Sequence, residues 1–268
     1  MKKNIFPALK NNKLLIRITI LFVTLIISCI SYSCLKKNDP PVYAEIPDAN
    51  FKTYLKTIVP LAFTSDGKFI SNHSSVISYG GPMSVRGKKI SSLSGIEYFS
   101  ALRKLDCSNN VIVKLDISKN IALTDIYCGY NKLSTLDVSK NTNLVELNCS
   151  KNQITTLDLI KNVNLTELLC FGNHIKAIRL GDNPVLQKIY CPYNQIVILD
   201  VSKNNALVEL NCKENLQNTV IIVNPEKLSR LYIDDFIKCN HPSIKVFKDN
   251  GGELYGTYSE VISSFVCQ

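Results

Sequence analysis

Residues 105–120 read LDCSNNVIVKLDISKN, and residues 126–141, one step of 21 further on, read IYCGYNKLSTLDVSKN. Cys107, Cys128, Cys149, Cys170, Cys191 and Cys212 follow one another at that step without a slip. Leu102, Leu123, Leu144, Leu165, Leu186 and Leu207 keep it as well, as do Asn110, Asn131, Asn152, Asn173, Asn194 and Asn215. A second asparagine recurs at Asn120, Asn141, Asn162, Asn183 and Asn204. The unit is L-x-x-L-x-C-x-x-N-x-I-x-x-L-D-V-S-K-N-x-x. A unit this short cannot bury its own apolar face, so successive units must stack as coils and share one continuous core.

The L-x-C segment reads as a short strand with Leu and Cys on the same, inward side, because alternate residues of a strand share a face. Each ladder asparagine falls where the chain turns out of that strand, and its amide is placed to pair backbone groups that the turn leaves open. The cysteine is then a small buried apolar side chain. Continuing the step past Cys212 brings Leu228, Leu231 and then Ile233 to the seventh cysteine position. A core filler tolerates that exchange, whereas a redox centre or metal ligand does not. Equivalent Cα atoms of neighbouring coils lie ~4.8 Å apart, within disulfide range, but their side chains run parallel instead of facing each other. The sequence therefore predicts a ladder of reduced, packed thiols.

The pattern resembles the leucine-rich repeat, and within it the 21-residue bacterial subclass called IRREKO, whose unit has Leu or Cys at its sixth position. The resemblance covers residues 102–236. It implies a leucine-rich repeat solenoid: a stack of parallel strands with a mostly irregular, turn-rich second side. A stack has two open ends, and each needs a cap. Upstream, IPDANFKTYLKTIV (46–59) reads as a helix with Asp48 as N-cap and Phe51, Tyr54, Leu55 and Ile58 on its apolar face. PMSVRGKKISSLSGIEYFSAL (82–102) reads as a degenerate first coil with Val85, Ile90, Leu93, Ile96 and Phe99 inward. Both resemble the lead-in of surface leucine-rich proteins from Bacteroidetes-type bacteria. Those often carry an acidic calcium-loop-like segment between the two; here FTSDGKF keeps only Asp66 and Gly67, too few oxygen ligands for calcium. Downstream, SIKVFKDNGGELYGTY (243–258) reads as a hairpin around residues 249–252, giving a small β C-terminal cap. Cys239 and Cys267 lie outside the ladder; an oxidising compartment would pair them across this cap, and the reduced form is the alternative.

The net charge of +9 points at first to nucleic acid. However, Lys2, Lys3, Lys10, Lys13 and Arg17 supply five of those charges within an acid-free leader, and without them the balance is only +4. No case for nucleic acid survives. The leader continues into ITILFVTLIISCISYS (18–33), an apolar run of signal-peptide length. SYSCLKKNDPP follows, and the arrangement resembles a bacterial lipoprotein signal, whose cysteine receives lipid. Cys34 is the expected site, since the apolar run stops there and a Lys/Asp/Pro tether begins. Cys29, in LIISC, is the alternative and fits the usual lipobox letters better. The resemblance implies an exported protein held at the outer membrane, facing the surface or the periplasm, by acyl chains through its N-terminus. The expected organisation is a signal peptide at 1–33, a tether at 34–45, an N-terminal cap with degenerate coil at 46–101, repeats at 102–236 and a C-terminal cap at 237–268.

Nothing in the chain has the spacing of a catalytic site. The histidines are His73, His174 and His241, and none sits in a recognised spacing with a Ser, Cys or Asp nucleophile or partner. Cys239-Asn240-His241 falls short of a zinc set, and no glycine-rich phosphate loop is present. Asp116, Asp137, Asp158 and Asp200 form a column that Arg179 interrupts; Lys119, Lys140, Lys161 and Lys203 follow three residues on, which reads as a solvated, lysine-compensated face. No metal, cofactor or enzymatic activity is expected. The residues beside each cysteine point outward instead, onto the surface such solenoids use for binding. They include Tyr127, Tyr130, Leu169, Phe171, Tyr190, Tyr193 and Tyr232, and aromatic side chains are over-represented at recognition surfaces. The expected function is binding of a partner, a protein first and a glycan as the alternative.

Overall fold

The structure, a computed structural model, describes residues 39–216, 220–223, 228–232 and 253–255. The leader with Cys29 and Cys34, Ile233, and Cys239, His241 and Cys267 lie outside the described residues. The described residues fall in two units, the first beginning at Val42 and the other comprising those up to Pro41. The elements of the first are, in chain order, β1 (Tyr43–Ala44), α1 (Ala49–Ile58), β2 (Phe69–Ile70), α2 (Ser74–Ile77), β3 (Pro82–Ser84), β4 (Lys104–Asp106), β5 (Asp125–Tyr127) and β6 (Glu146–Asn148). There follow β7 (Thr156–Asp158), β8 (Glu167–Leu169), β9 (Ala177–Arg179), β10 (Lys188–Tyr190), β11 (Ile198–Val201), β12 (Glu209–Asn211), β13 (Val220–Val223), β14 (Arg230–Tyr232) and β15 (Glu253–Tyr255).

Because the repeat is 21 residues long throughout, equivalent strands meet in register. Lys104, Leu105 and Asp106 pair with Asp125, Ile126 and Tyr127, and these with Glu146, Leu147 and Asn148. The result is a nine-stranded parallel sheet in the order β15-β14-β12-β10-β8-β6-β5-β4-β3. All six ladder cysteines and their Leu or Ile partners at 105, 126, 147, 168, 189 and 210 are fully buried. In the degenerate first coil Met83 pairs with Leu105, and Val85 takes the cysteine's place, fully buried, with its N–H on Asp106 O at 2.8 Å. That valine fills the position as an apolar side chain.

The carboxamide of each ladder asparagine joins two coils. Asn152 Nδ2 donates to Cys149 O in its own coil and to Cys128 O in the preceding one, both at 3.0 Å. Its Oδ1 accepts from Leu133 N–H at 3.0 Å. Asn131, Asn173, Asn194 and Asn215 repeat this set. Asn110 extends it into the first coil through Val85 O and Ile90 N–H. The second column works differently: Asn141 Nδ2 donates to Ile117 O and Asn120 O. The Oδ1 atoms of Asn120, Asn141, Asn162 and Asn183 are buried and accept no hydrogen bond.

Just before each ladder asparagine the backbone turns left-handed. Asn109, Tyr130, Lys151, Gly172, Tyr193 and Glu214 all have φ between 52° and 64°, and Gly87 at 66° continues the column. Gly87 and Gly172 occupy it without steric cost and Asn109 with little; other L side chains there cost roughly 1–2 kcal/mol.

At the N-terminal end, α1 closes the stack with Phe51 and Leu55 fully buried. Asp48 caps it, accepting from Phe51 N–H at 2.9 Å and from both Ser91 N–H and Oγ at 2.8 Å. Burial alone would raise this carboxyl's pKa, but those bonds outweigh it and hold it below the ordinary 3.8. Tyr54 Oη accepts from Ser84 N–H and Tyr79 Oη donates to Pro82 O, both at 3.0 Å, so two phenols cover the polar groups of β3. Gly95 has φ of 109°, and a Cβ there would lie 2.1 Å from Ile46 Cδ1, so a side chain would both strain the backbone and displace Ile46.

Three features add to the sequence expectations. Tyr43–Ala44, within the segment read as tether, is a strand pairing antiparallel with Phe69–Ile70. The second side is irregular over the first coils, but β7, β9, β11 and β13 form a four-stranded parallel sheet there. The β-branched runs at Thr155-Thr156, Val197-Ile198 and Val220–Val223 favour that extended backbone. Finally, β15, in the second arm of the expected hairpin, pairs parallel with β14 and extends the long sheet; the first arm lies outside the described residues.

Replacing Asn152 by Ala strands Leu133 N–H and removes one of the two amide bonds to each of Cys128 O and Cys149 O, which keep Asn131 and Asn173 as donors. Chemical denaturation should show a loss of about 1–3 kcal/mol, whereas Gln153→Ala, exposed beside it, should change stability by less than about 0.5 kcal/mol.

Candidate functional site

The seven outward residues singled out in the sequence divide into separate columns. Tyr127, Leu169, Tyr190 and Tyr232 end strands β5, β8, β10 and β14, half-buried, on the face opposite the leucines. Tyr130 and Tyr193 stand three residues further along, in the left-handed turn column, 51% and 59% exposed. Phe171 lies between the two columns and is half-buried.

On the strand face the tyrosines are braced. Tyr127 donates its hydroxyl to the Glu146 carboxylate, and Tyr190 does the same to Glu209. Burial and then Glu209 push the Tyr190 phenol up to about 12, and burial with Glu146 pushes Tyr127 well above its usual range. Both therefore stay protonated and keep donating at any physiological pH. Arg230 pairs with Glu209, and Lys104 with Asp125, each at 3.0 Å. Leu169, in the middle strand, has Asn148 and Tyr190 as its register partners. The face is thus an apolar centre flanked by fixed phenols and carboxylates.

In the turn column, the side chain of Lys151 lies along the coil axis. Its Nζ sits 5.7 Å from the Phe171 ring centroid and 5.8 Å from that of Tyr193. The intervening residue is Gly172, where a Cβ would approach Lys151 Cδ to 2.7 Å. The glycine is what lets the lysine pass. Aromatic pattern alone does not single out Lys151; the readable signal is the residue before each ladder asparagine.

The aspartate column has a local explanation other than lysine compensation. Asp116 Oδ1 accepts from Ser118 N–H and Oγ, Asp200 from Ser202 N–H and Oγ, Asp137 from Ser139 N–H and Asp158 from Ile160 N–H. Asp158 also pairs with Arg179 at 2.9 Å. These turn bonds hold the Asp116 and Asp137 carboxyls below their ordinary range, with the neighbouring lysines adding less. A shallow hollow of about 530 Å³ lies beside Asp116, lined by Ser91, Ser92, Ser94, Glu97, Lys114 and Lys119 among others.

His73 caps α2 by accepting from Ser75 N–H at 3.2 Å, and His174 is exposed. Asp66 is engaged by Thr64 and Lys68. Among the described residues no group of three His, Cys, Asp or Glu is placed to hold a metal ion. The six ladder cysteines are free thiols. Burial pushes Cys107, Cys149 and Cys191 up to about 12 and Cys128 and Cys170 well above their usual value.

No family model matches this sequence, and no curated protein matches it. Among solved structures, internalin C2 from Listeria monocytogenes is similar at 16% identity, covering 82% of this chain and 91% of that one, with a TM-score of 0.51. The functional domain of InlJ from the same organism, which includes a cysteine ladder, is similar at 23% identity and a TM-score of 0.41. That match covers 78% of this chain and 59% of that domain. The chain thus spans under two thirds of the InlJ domain. The likeness to internalin C2 concerns the fold, and with the parallel strand stack it makes the chain a leucine-rich repeat solenoid.

Because the ladder thiols are protonated and sealed in the core, a thiolate-selective reagent at pH 8 should leave all six unlabelled in native protein. Peptide mapping should find them labelled after unfolding without reductant; finding them disulfide-linked or oxidised would contradict the packed-thiol interpretation.

Proposed function

We propose that this protein is a non-enzymatic lipoprotein of the bacterial cell envelope, built from IRREKO-type repeats, that binds a protein partner through the outward face of its long sheet. The observation that carries this reading is the row Tyr127–Leu169–Tyr190. Its two phenols are fixed by carboxylates of neighbouring coils, and the half-buried Leu169 stands between them. Recognition surfaces concentrate energy in a few rigid aromatic anchors around a desolvated centre, and anchors that are already ordered lose little entropy on binding. The membrane attachment rests on the leader and on Cys34, with Cys29 as the alternative acceptor.

The test uses the variant Leu169→Asn, which the fold tolerates because Asn148 and Asn211 already occupy the equivalent positions. Binding to an isolated envelope or host protein should weaken at least about ten-fold with the melting temperature nearly unchanged. A partner bound equally well by this variant refutes the strand-face reading. For the anchor, Cys34→Ala should abolish metabolic fatty-acid labelling and move the protein out of the membrane fraction. Labelling lost only in Cys29→Ala would shift the acceptor upstream.

A further inference from the structure

The turn column holds a surface that the strand face does not use. Four successive coils present the tripeptides Tyr130-Asn131-Lys132, Lys151-Asn152-Gln153, Gly172-Asn173-His174 and Tyr193-Asn194-Gln195. The middle asparagine of each is occupied by the ladder, and the outer two residues face outward. No acid occurs in these twelve residues, while Lys132 and Lys151 are both exposed.

Two observations set this ridge apart from ordinary solenoid surface. The first is strain. Tyr130, Lys151 and Tyr193 are held at φ of 57°, 54° and 55°, where glycine sits without cost and where Gly87 and Gly172 stand in other coils. Large side chains kept at such positions mark a function more than a packing need. Neither tyrosine serves the core, since more than half of each remains exposed. The second is order. Lys151 runs across the gap left by Gly172, with its ammonium against both the Phe171 and Tyr193 rings. A long, flexible cation is thereby fixed between two aromatic planes.

Tyr130 and Tyr193 are three coils apart, ~14 Å at the spacing of strands, with the lysine between them. The ridge is raised and linear. A protein hot spot requires a central pocket that excludes water, and these protruding rings supply none. What they do supply is platforms for the C–H faces of pyranose rings, amide groups at Gln153 and Gln195 for hydroxyls, and fixed positive charge for an anionic substituent. A chain of pyranose rings also repeats at close to the coil step.

We propose that this ridge is a docking site for an acidic polysaccharide, stacking its sugar rings on Tyr130 and Tyr193 and pairing a carboxylate or sulfate with Lys151 and Lys132. It is a surface separate from the strand face, and its readout does not depend on capture of a protein.

Affinity electrophoresis of the full chain in uncharged detergent provides the test, with polygalacturonate as the carboxylate probe, heparin as the sulfate probe and dextran as the neutral control. At least one acidic polymer should retard the protein and dextran should not. The double substitution Tyr130→Gly/Tyr193→Gly should weaken retardation by about ten-fold or more, while the melting temperature holds or rises because glycine relaxes both turns. Lys151→Gly should weaken it several-fold and flatten its salt dependence; Lys140→Gln, an exposed lysine on the second side, should not. If the glycine pair fails to fold, Tyr130→Asn/Tyr193→Asn serves instead, since Asn109 already occupies this position. The proposal is overturned by no retardation with either acidic polymer, by equal retardation with dextran, or by undiminished retardation in the folded double variant. Binding of an acidic protein through these residues in place of the polymers would overturn it too.

Discussion

Each ladder asparagine satisfies, with one planar carboxamide, backbone groups that belong to two different coils. Its nitrogen reaches the carbonyl after its own cysteine and the carbonyl after the previous one, while its oxygen takes the amide that opens the next segment of that previous coil. A buried amide without a partner costs about 1–3 kcal/mol; this side chain supplies that amide's acceptor, and each carbonyl is shared between the asparagines of two successive coils. The 21-residue step is the spacing at which that carboxamide finds the same three atoms in every coil. In-register strands, the thiol ladder and the shared leucine core all follow from holding that step constant.

The same constraint imposes the shape of the outer surface. To aim its amide inward, the chain must turn sharply just before the asparagine, and it does so through a left-handed residue in every coil. That residue is necessarily outside the core, so its identity is released from packing and restricted only by backbone cost. Glycine or asparagine answers the cost; tyrosine or lysine does not. Strand residues such as Tyr127 and Tyr190 meet a milder restriction, since an outward position on a parallel sheet accepts almost any β-tolerant side chain.

The inward features were legible in the sequence because they are periodic. Leu105, Cys107 and Asn110 have counterparts at every step, and the substitution of Ile233 at the cysteine position already separated packing from chemistry. The helix of the cap was readable from Asp48 and the spacing of Phe51 and Leu55. What the period conceals is whatever depends on the next coil's side chain. That Tyr127 and Tyr190 each pass their hydroxyl to a carboxylate one coil further on is a matter of reach across the sheet. The aspartate column looked like a charge pattern, whereas Ser118 and Ser202, two residues along, give it a local turn geometry. The sheet on the second side forms in only some of the coils, a variation that a consensus unit averages away.

The two asparagine columns are not equivalent, and the difference bears on where recognition belongs. In the ladder after the strands both ends of the amide are used. In the second column the nitrogen is bonded but the oxygens of Asn120, Asn141, Asn162 and Asn183 accept nothing, which leaves that side with fewer ties per coil. The long sheet also spans nine strands against four opposite it. The edge of the solenoid that carries the phenols, their carboxylates and the sandwiched lysine is therefore its more fully bonded edge. Side chains mounted there keep fixed spacings over several coils, so a ligand that matches the spacing meets groups already in place and has little ordering left to impose.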